Sequence, residues 1–230
     1  MDIRVFYHIC AMGPWKEIVE DQMEQLVESG LCAAAHSIRC YVLGSPASVA
    51  ACQALLSSFG EKVIIQATNS VDKLDEYFTV SDIANHIAPE SKVLYLHSKG
   101  VTRFGTDTYR LGDKEIAVPN LYSNVTDWRH MMEFFLIYQW KVCVRELDTH
   151  DAVGVNYVRW PSKTWGHFSG NFWWCTGKYF LTLAERVWSP EVHVGRNDPK
   201  VKELFNSGLA GHGHYLHSYP KTKYVDKVLI

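Results

Sequence analysis

His97, Ser98, Lys99 and Gly100, with Arg103 three residues further on, gather hydrogen-bond donors and positive charge into one short stretch. The residues before them, Val93-Leu94-Tyr95-Leu96, are apolar without a helical period and read as a buried strand. In open α/β sheets, ligands bind where the carboxyl ends of strands meet their following loops. A cationic, donor-rich loop at such a point suits an anionic ligand such as a diphosphate. The same pattern also describes a solvated turn whose lysine only faces water. A second unusual segment, His167-Phe168-Ser169-Gly170-Asn171-Phe172-Trp173-Trp174, favours the ligand reading. Its Gly170 permits close approach to the backbone, and Ser169 and Asn171 offer hydrogen bonds. Strand alternation sends Trp173 and Trp174 to opposite faces, so at most one of them can face a ligand.

The elements that must position these residues follow from periodicity. A strand is expected over 3–9 and a helix over 15–29, with Pro14 at its start and Gly30 as its stop. The helix carries Ile18, Val19, Met23, Leu26 and Val27 as an amphipathic stripe. A strand over 38–43, a helix over 47–59, a strand over 63–67, a helix within 74–87 and the strand 93–96 continue the alternation. Strand and helix alternate with short links over nearly one hundred residues, which predicts an α/β fold with a mostly parallel sheet and helices on both faces. His8, Cys10, Ala11 and Met12 then lie at the mouth of the sheet, with Thr68 and Asn69 just past the third strand. Residues 101–120 read as a long loop, 125–147 as one long helix, 152–158 and 171–175 as short strands, and 179–187 as a helix. No repeat and no linker interrupts the chain, so one domain over 1–230 is expected.

Composition narrows the class. A chain of 230 residues with 47% hydrophobic and 21% charged residues can build a sizeable core. A formal charge of −2 gives no support for nucleic-acid binding, which needs a basic excess. The eight tryptophans are core material first and sugar-ring platforms second. The six cysteines, Cys10, Cys32, Cys40, Cys52, Cys143 and Cys175, show no CxxC pair and sit in apolar segments, so a reducing compartment is expected. With no signal-peptide pattern and no run long enough to span a bilayer, a soluble, cytoplasmic protein is the expectation.

The ordered set of these segments resembles a family of nucleotide-sugar glycosyltransferases with the GT-A fold, known from bacterial polysaccharide clusters and large algal viruses. The opening Tyr7-His8-Ile9-Cys10-Ala11-Met12-Gly13-Pro14-Trp15-Lys16-Glu17 is similar to the chlorovirus glycosyltransferase domain that helps build the capsid glycan. The likeness runs with gaps from residue 3 to about residue 210. It implies a nucleotide-sugar-binding half over about 1–100, an acceptor-side half over about 120–215, and an irregular tail. It also implies an inverting transfer of a hexose or deoxyhexose, rhamnose among them, from a UDP-sugar to a glycan acceptor, in the host cytoplasm if the protein is viral.

On this resemblance, His8, Cys10, Ala11 and Met12 line the uracil and ribose, with Thr68 and Asn69 near the base. His97, Ser98, Lys99 and Arg103 face the diphosphate, and His167, Ser169, Gly170, Asn171 and Trp173 form the acceptor wall. The pattern places a basic carboxylate at Glu203, with Asp198 second and Asp127 and Asp151 still open. The usual Asp-any-Asp metal motif after the fourth strand is missing. Either Lys99 and Arg103 neutralise the diphosphate without a metal, or Mn²⁺ or Mg²⁺ is held by His97 or by His212 and His214. The missing motif keeps two other classes open: a carbohydrate-binding protein without catalysis, and a nucleotide-sugar hydrolase.

Overall fold

A computed structural model of the chain describes residues 1–70, 76–103, 108–111, 114–118, 120–159, 166–168, 170–187, 217–218 and 224–225. The first half is built from β1 (Ile3–Ala11), α1 (Trp15–Glu28), α2 (Leu31–Ala34), β2 (Ser37–Gly44), α3 (Pro46–Ser57), β3 (Val63–Asn69), α4 (Tyr77–Val80), a 3-10 turn at Ile83–His86 and β4 (Lys92–His97). The second half adds β5 (Thr108–Leu111), β6 (Lys114–Ala117), α5 (Leu121–Glu133), a π-helical turn at Phe134–Tyr138 and α6 (Trp140–Glu146). Then come β7 (Ala152–Gly154), β8 (Tyr157–Arg159), β9 (Gly166–Phe168), β10 (Trp173–Thr176), α7 (Gly177–Val187), β11 (His217–Ser218) and β12 (Tyr224–Val225).

Among the described residues, seven strands form the main sheet in the order β12-β7-β10-β4-β1-β2-β3. β1 pairs in parallel with both β2 and β4, and β10 runs antiparallel to β4 and β7. The chain therefore winds outward from β1 to β3 and returns to the other side of β1 at β4. In open α/β sheets such a reversal is where a ligand crevice forms, here at the carboxyl ends of β1 and β4. Because β10 is antiparallel, its amino end and the residues leading into it arrive at the same edge. The α/β class, the mostly parallel sheet and the helices on both faces are as the periodicity predicts.

Alternation along the strands separates two cores. Tyr7, Leu94, Leu96 and Trp174 pack with residues of α1, α3, α5 and α6 on one face. Phe6, Tyr95, Trp173 and Phe180 pack with Val80 and Ile83 on the other. Capping is as expected in the first half. Gly30 stops α1 in the left-handed region at φ 77, and Ser45 accepts the Ser48 amide at the start of α3.

Several expectations need correction. Among the described residues, the helix expected within 74–87 is the single turn α4 and a 3-10 turn. Asp82 bonds Tyr41, Asn85 and His86 through its side chain, and such local bonding competes with helix continuation. His97 is the last residue of β4 and does not belong to the loop. The expected loop 101–120 contains a 3-10 turn (Val101–Arg103) and the β5–β6 hairpin, whose residues pair from Thr108↔Ala117 to Leu111↔Lys114. The long helix over 125–147 begins at Leu121 and is broken by the π-helical turn. The strand over 152–158 divides into β7 and β8, with Asn156 at φ 56 between them. Val27, placed on the buried stripe of α1, is 48% exposed.

Candidate functional site

The two segments singled out in the sequence meet in space. The His97 Nε2 lies 2.9 Å from the Gly170 carbonyl oxygen, which can only accept, so Nε2 carries the proton. His97 is nearly buried, and burial holds its pKa below the usual histidine value. The Glu76 carboxylate opposes that shift and the Lys99 ammonium adds to it. At neutral pH the ring is an uncharged strut joining β4 to the lead-in of β10.

The β1 end is tied to the same loop. The Ser98 amide donates to the His8 carbonyl at 3.0 Å, and the Cys10 amide donates to Ser98 Oγ at 2.9 Å. His8 is buried with its Nδ1 2.8 Å from Thr79 Oγ1. Cys10 is half-buried, Ala11 is buried and Met12 is 43% exposed. Thr68 and Asn69 are exposed at the carboxyl end of β3, opposite Val42 and Leu43. His8, Cys10, Met12, Thr68 and Asn69 thus share the carboxyl edge with Ser98 and Lys99, with Thr68 and Asn69 as the last two residues of β3 and not past it.

Lys99 is half-buried, and its Nζ sits 4.4 Å from the centroid of the Trp128 ring on α5. This cation–π contact holds the ammonium at the crevice. Gly170, at φ 93, lets α5 approach: a Cβ there would stand 2.4 Å from Met132 Sδ and 3.2 Å from Trp128 Cζ2.

Beneath the loop lies a buried polar network. Gln22 and Glu133 are fully buried and Arg129 is nearly so. Gln22 Nε2 donates to Glu133 Oε1 at 2.6 Å and toward the His97 carbonyl at 3.3 Å. Tyr7 Oη donates to Gln22 Oε1, and Gln25 Nε2 donates to Glu133 Oε2 at 3.1 Å. Arg129 Nε stands 3.2 Å from Glu133 Oε1, and its NH1 reaches toward the Lys99 carbonyl at 3.5 Å. Burial raises the Glu133 pKa, while Arg129, Gln25 and Gln22 pull it back.

The acceptor-side residues differ from expectation. Trp173 and Trp174 are both fully buried, each in its own core, so neither offers a ring to a ligand. Asn171 is 2% exposed and sits before β10 at φ 58. Its Oδ1 accepts from Trp173 Nε1 at 2.9 Å, and its Nδ2 donates to Glu76 Oε2. Asn171 therefore fixes a carboxylate and does not itself line the surface. His167 and Arg103 lie in β9 and the 3-10 turn, but their side chains fall outside the described residues. Ser169, Asp198, Glu203, His212 and His214 lie outside them altogether. Asp127 is exposed on α5. Asp151 precedes β7, which runs parallel to β4, so it belongs to the amino edge and cannot serve the crevice.

The β4 end and the loop after it offer a divalent cation one imidazole nitrogen, His97 Nδ1, and no carboxylate. The His97 Nε2 proton is directed at Gly170, Ser98 Oγ accepts an amide, and Lys99 brings like charge. Asp21, His130 and Glu133 also cluster closely, but the Arg129 guanidinium already stands among them, paired with Asp21 and Glu133.

Sequence reasoning missed Glu76, Trp128 and the Gln22–Arg129–Glu133 network. Gln22 falls at i+4 from Ile18 and four before Leu26, inside the apolar stripe. Arg129 and Glu133 interrupt the apolar face of α5 at i, i+4. Polar residues on a buried stripe were the available signal.

Residues 6–187 match the family described as a domain of unknown function, DUF8361. The chain belongs to this family. The match runs from within β1 to the end of α7, so every site residue named above from His8 to Trp173 lies within the DUF8361 region. No curated protein matches the chain. Among solved structures, the 4-diphosphocytidyl-2C-methyl-D-erythritol synthase from Anaerococcus prevotii DSM 20548 is similar at TM-score 0.47 and 10% identity, over 98% of this chain and 87% of that one. The glycosyltransferase GlyE of Streptococcus pneumoniae TIGR4 is similar at TM-score 0.30 and 15% identity, over 89% of this chain and 43% of that one. Both likenesses are distant, and neither carries information on the substrate of this DUF8361 protein. Among the described residues, no helix is long and apolar enough to cross a membrane.

Proposed function

We propose that the protein is a nucleotide-sugar-dependent glycosyltransferase, moving a hexose or deoxyhexose from a UDP-sugar to a glycan acceptor with inversion. The observation that carries this reading is Lys99. It is a cation held against Trp128 at the carboxyl end of β4, beside β1, where the strand order reverses. A diphosphate leaving group develops charge as the glycosidic bond breaks, and a fixed ammonium at that point stabilises it. On this reading His8, Cys10, Ala11, Met12, Thr68 and Asn69, along the same edge, hold the base and ribose, the buried His8 and Ala11 through their backbone. Arg103 adds a second cation to the diphosphate, and the resemblance of the opening segment supports an acceptor of the capsid-glycan kind. On the resemblance, Ser169 and Gly170, shortly before β10 in sequence, serve the acceptor side. The sequence pattern nominates Glu203 as base, and that residue lies outside the described ones.

The test is UDP binding by calorimetry, together with UDP release from a panel of UDP-hexoses and UDP-deoxyhexoses, with and without methyl glycoside acceptors. Lys99→Ala should lower kcat/KM by about 10²–10³, the scale of losing one preorganised charge-stabilising group. Near-wild-type kinetics in that variant would remove Lys99 from the mechanism. Release independent of acceptor would make the protein a hydrolase, and UDP binding without any release would make it a binding protein.

A further inference from the structure

Tyr95 and His97 alternate with Leu94 and Leu96 along β4, so their rings stand on the sheet face away from α1 and α5. Glu76, immediately before α4, comes over this face. Tyr95 Oη donates to Glu76 Oε2 at 3.1 Å, and Asn171 Nδ2 donates to the same oxygen. Glu76 Oε1 lies 3.9 Å from His97 Nε2, and the Glu76 side chain is 22% exposed. A carboxylate withdrawn this far from water is costly to keep. Here it is aimed by a phenol and an amide, and the amide is itself fixed by Trp173 Nε1 and by a left-handed backbone at Asn171. Strained, over-determined backbone of this kind concentrates at functional sites.

The placement is asymmetric in charge. Lys99 leans toward α5 on one side of the β4 end, and Glu76 lies on the other. Both act on the His97 ring between them. An inverting transfer needs this division: a cation on the side of the departing diphosphate and a carboxylate on the side of the attacking hydroxyl.

We propose that Glu76 is the general base of the transfer, a role that rests on the glycosyltransferase reading above. The acceptor hydroxyl oxygen forms its bond to the anomeric carbon as its proton passes to a Glu76 carboxylate oxygen. The bond from the anomeric carbon to the diphosphate oxygen breaks, and its electron pair leaves with UDP. Tyr95 and Asn171 are positioning residues that hold Oε2 and so orient the whole carboxylate.

The experiment measures UDP release from the UDP-sugar panel with methyl glycoside acceptors, and UDP affinity by calorimetry, for wild type, Glu76→Gln and Glu203→Gln. Glu76→Gln should lose about 10²–10⁴ in kcat, the worth of a general base, with UDP affinity within roughly threefold of wild type. Glu203→Gln, the rival assignment from the sequence pattern, should lose less than Glu76→Gln. Wild-type turnover in Glu76→Gln, or abolition by Glu203→Gln alone, overturns the assignment and leaves the transferase reading standing. Absence of both UDP binding and release in the wild type overturns both. UDP binding without turnover of any donor overturns the base role and favours the binding protein. If Glu76→Gln does not fold, the pair Glu76→Asp and Glu76→Asn replaces it. Higher turnover in the Asp variant supports the base, and equal loss in both overturns it.

Discussion

The two faces of the sheet support the end of β4 by different physics. On the α1–α5 face, a buried ionic network reaches the His97 and Lys99 carbonyls through Gln22 and Arg129. On the other face, stacked aromatic rings do the supporting. Tyr95 and Trp173 lie 5.1 Å apart, Trp173 and Phe180 lie 5.9 Å apart, and polar atoms project only from their rims. The difference follows from what each face must hold. Backbone carbonyls in a tight loop need donors brought to them, and a long Gln and Arg deliver these from helices. A carboxylate such as Glu76 needs donors of fixed direction, which an aromatic hydroxyl and an immobilised amide supply with little rotamer entropy to lose.

The sharpest way to break this contrast is to remove the cation of the ionic face. Arg129→Met should leave Glu133 buried without its partner and cost about 3–5 kcal/mol in urea unfolding. Pairing that change with Glu133→Leu should recover most of the loss, because a well-packed apolar pair can replace a buried ion pair. A loss below about 1 kcal/mol for Arg129→Met would mean that the network relaxes into water and is not a rigid support.

On the aromatic face the corresponding cut is smaller. Asn171→Ala removes the acceptor of the Trp173 indole and one of the donors to Glu76. Stability should fall by about 1–3 kcal/mol, the penalty of an orphaned buried donor. Ala also tolerates φ 58 less well than Asn. Asn171→Gly should therefore fall less than Asn171→Ala in thermal unfolding, although it loses the same hydrogen bonds. The reverse order would show that backbone strain at this position is negligible. On the proposed function, both variants should lose transfer to acceptor before they lose UDP affinity.

Legibility differs between the two faces for a related reason. The first four strands, α1 and α3 could be read because their periods and caps are local: Pro14, Gly30, Ser45 and the run Val93–Leu96 each speak for themselves. The cationic loop was legible for the same reason, but its contact with the Gly170–Asn171 segment, 73 positions away, was not. The positions of Glu76 and Arg129 were not, because each owes its role to a residue far away in the chain. Glu76 meets Asn171 across 95 positions and Gln22 meets Glu133 across 111. The hairpin over 108–117 was hidden because Lys114-Glu115-Ile116-Ala117, the β6 strand, is exposed throughout and shows no apolar alternation. Trp173 looked like a sugar platform because a tryptophan beside Gly and Asn suits that role. Its actual position shows how often a large ring serves the core first.

The smallest expected effect concerns His97, which touches both faces' devices: its carbonyl receives Gln22, and its ring spans to Gly170 beside Glu76. Burial lowers its pKa from the ordinary value of 6.5, with Glu76 opposing and Lys99 assisting. A histidine whose folded pKa is depressed resists protonation in the native state and accepts it freely when unfolded. Its contribution is therefore intact above 6.5 and is lost as pH falls below that value toward the depressed native pKa. The slope inside that window cannot exceed about 1.4 kcal/mol per pH unit for one proton. Measured by urea unfolding between pH 8 and 5.5, wild type should lose stability on acidification. His97→Gln, which keeps a donor for the Gly170 carbonyl, should lose less, and the difference between the curves isolates this ring from the other histidines. Lys99→Ala should narrow the window by removing a like charge, and Glu76→Gln should widen it by removing the opposing carboxylate. Parallel curves for wild type and His97→Gln would mean that the ring is protonated without penalty, and the neutral strut between β4 and β10 would have to be abandoned.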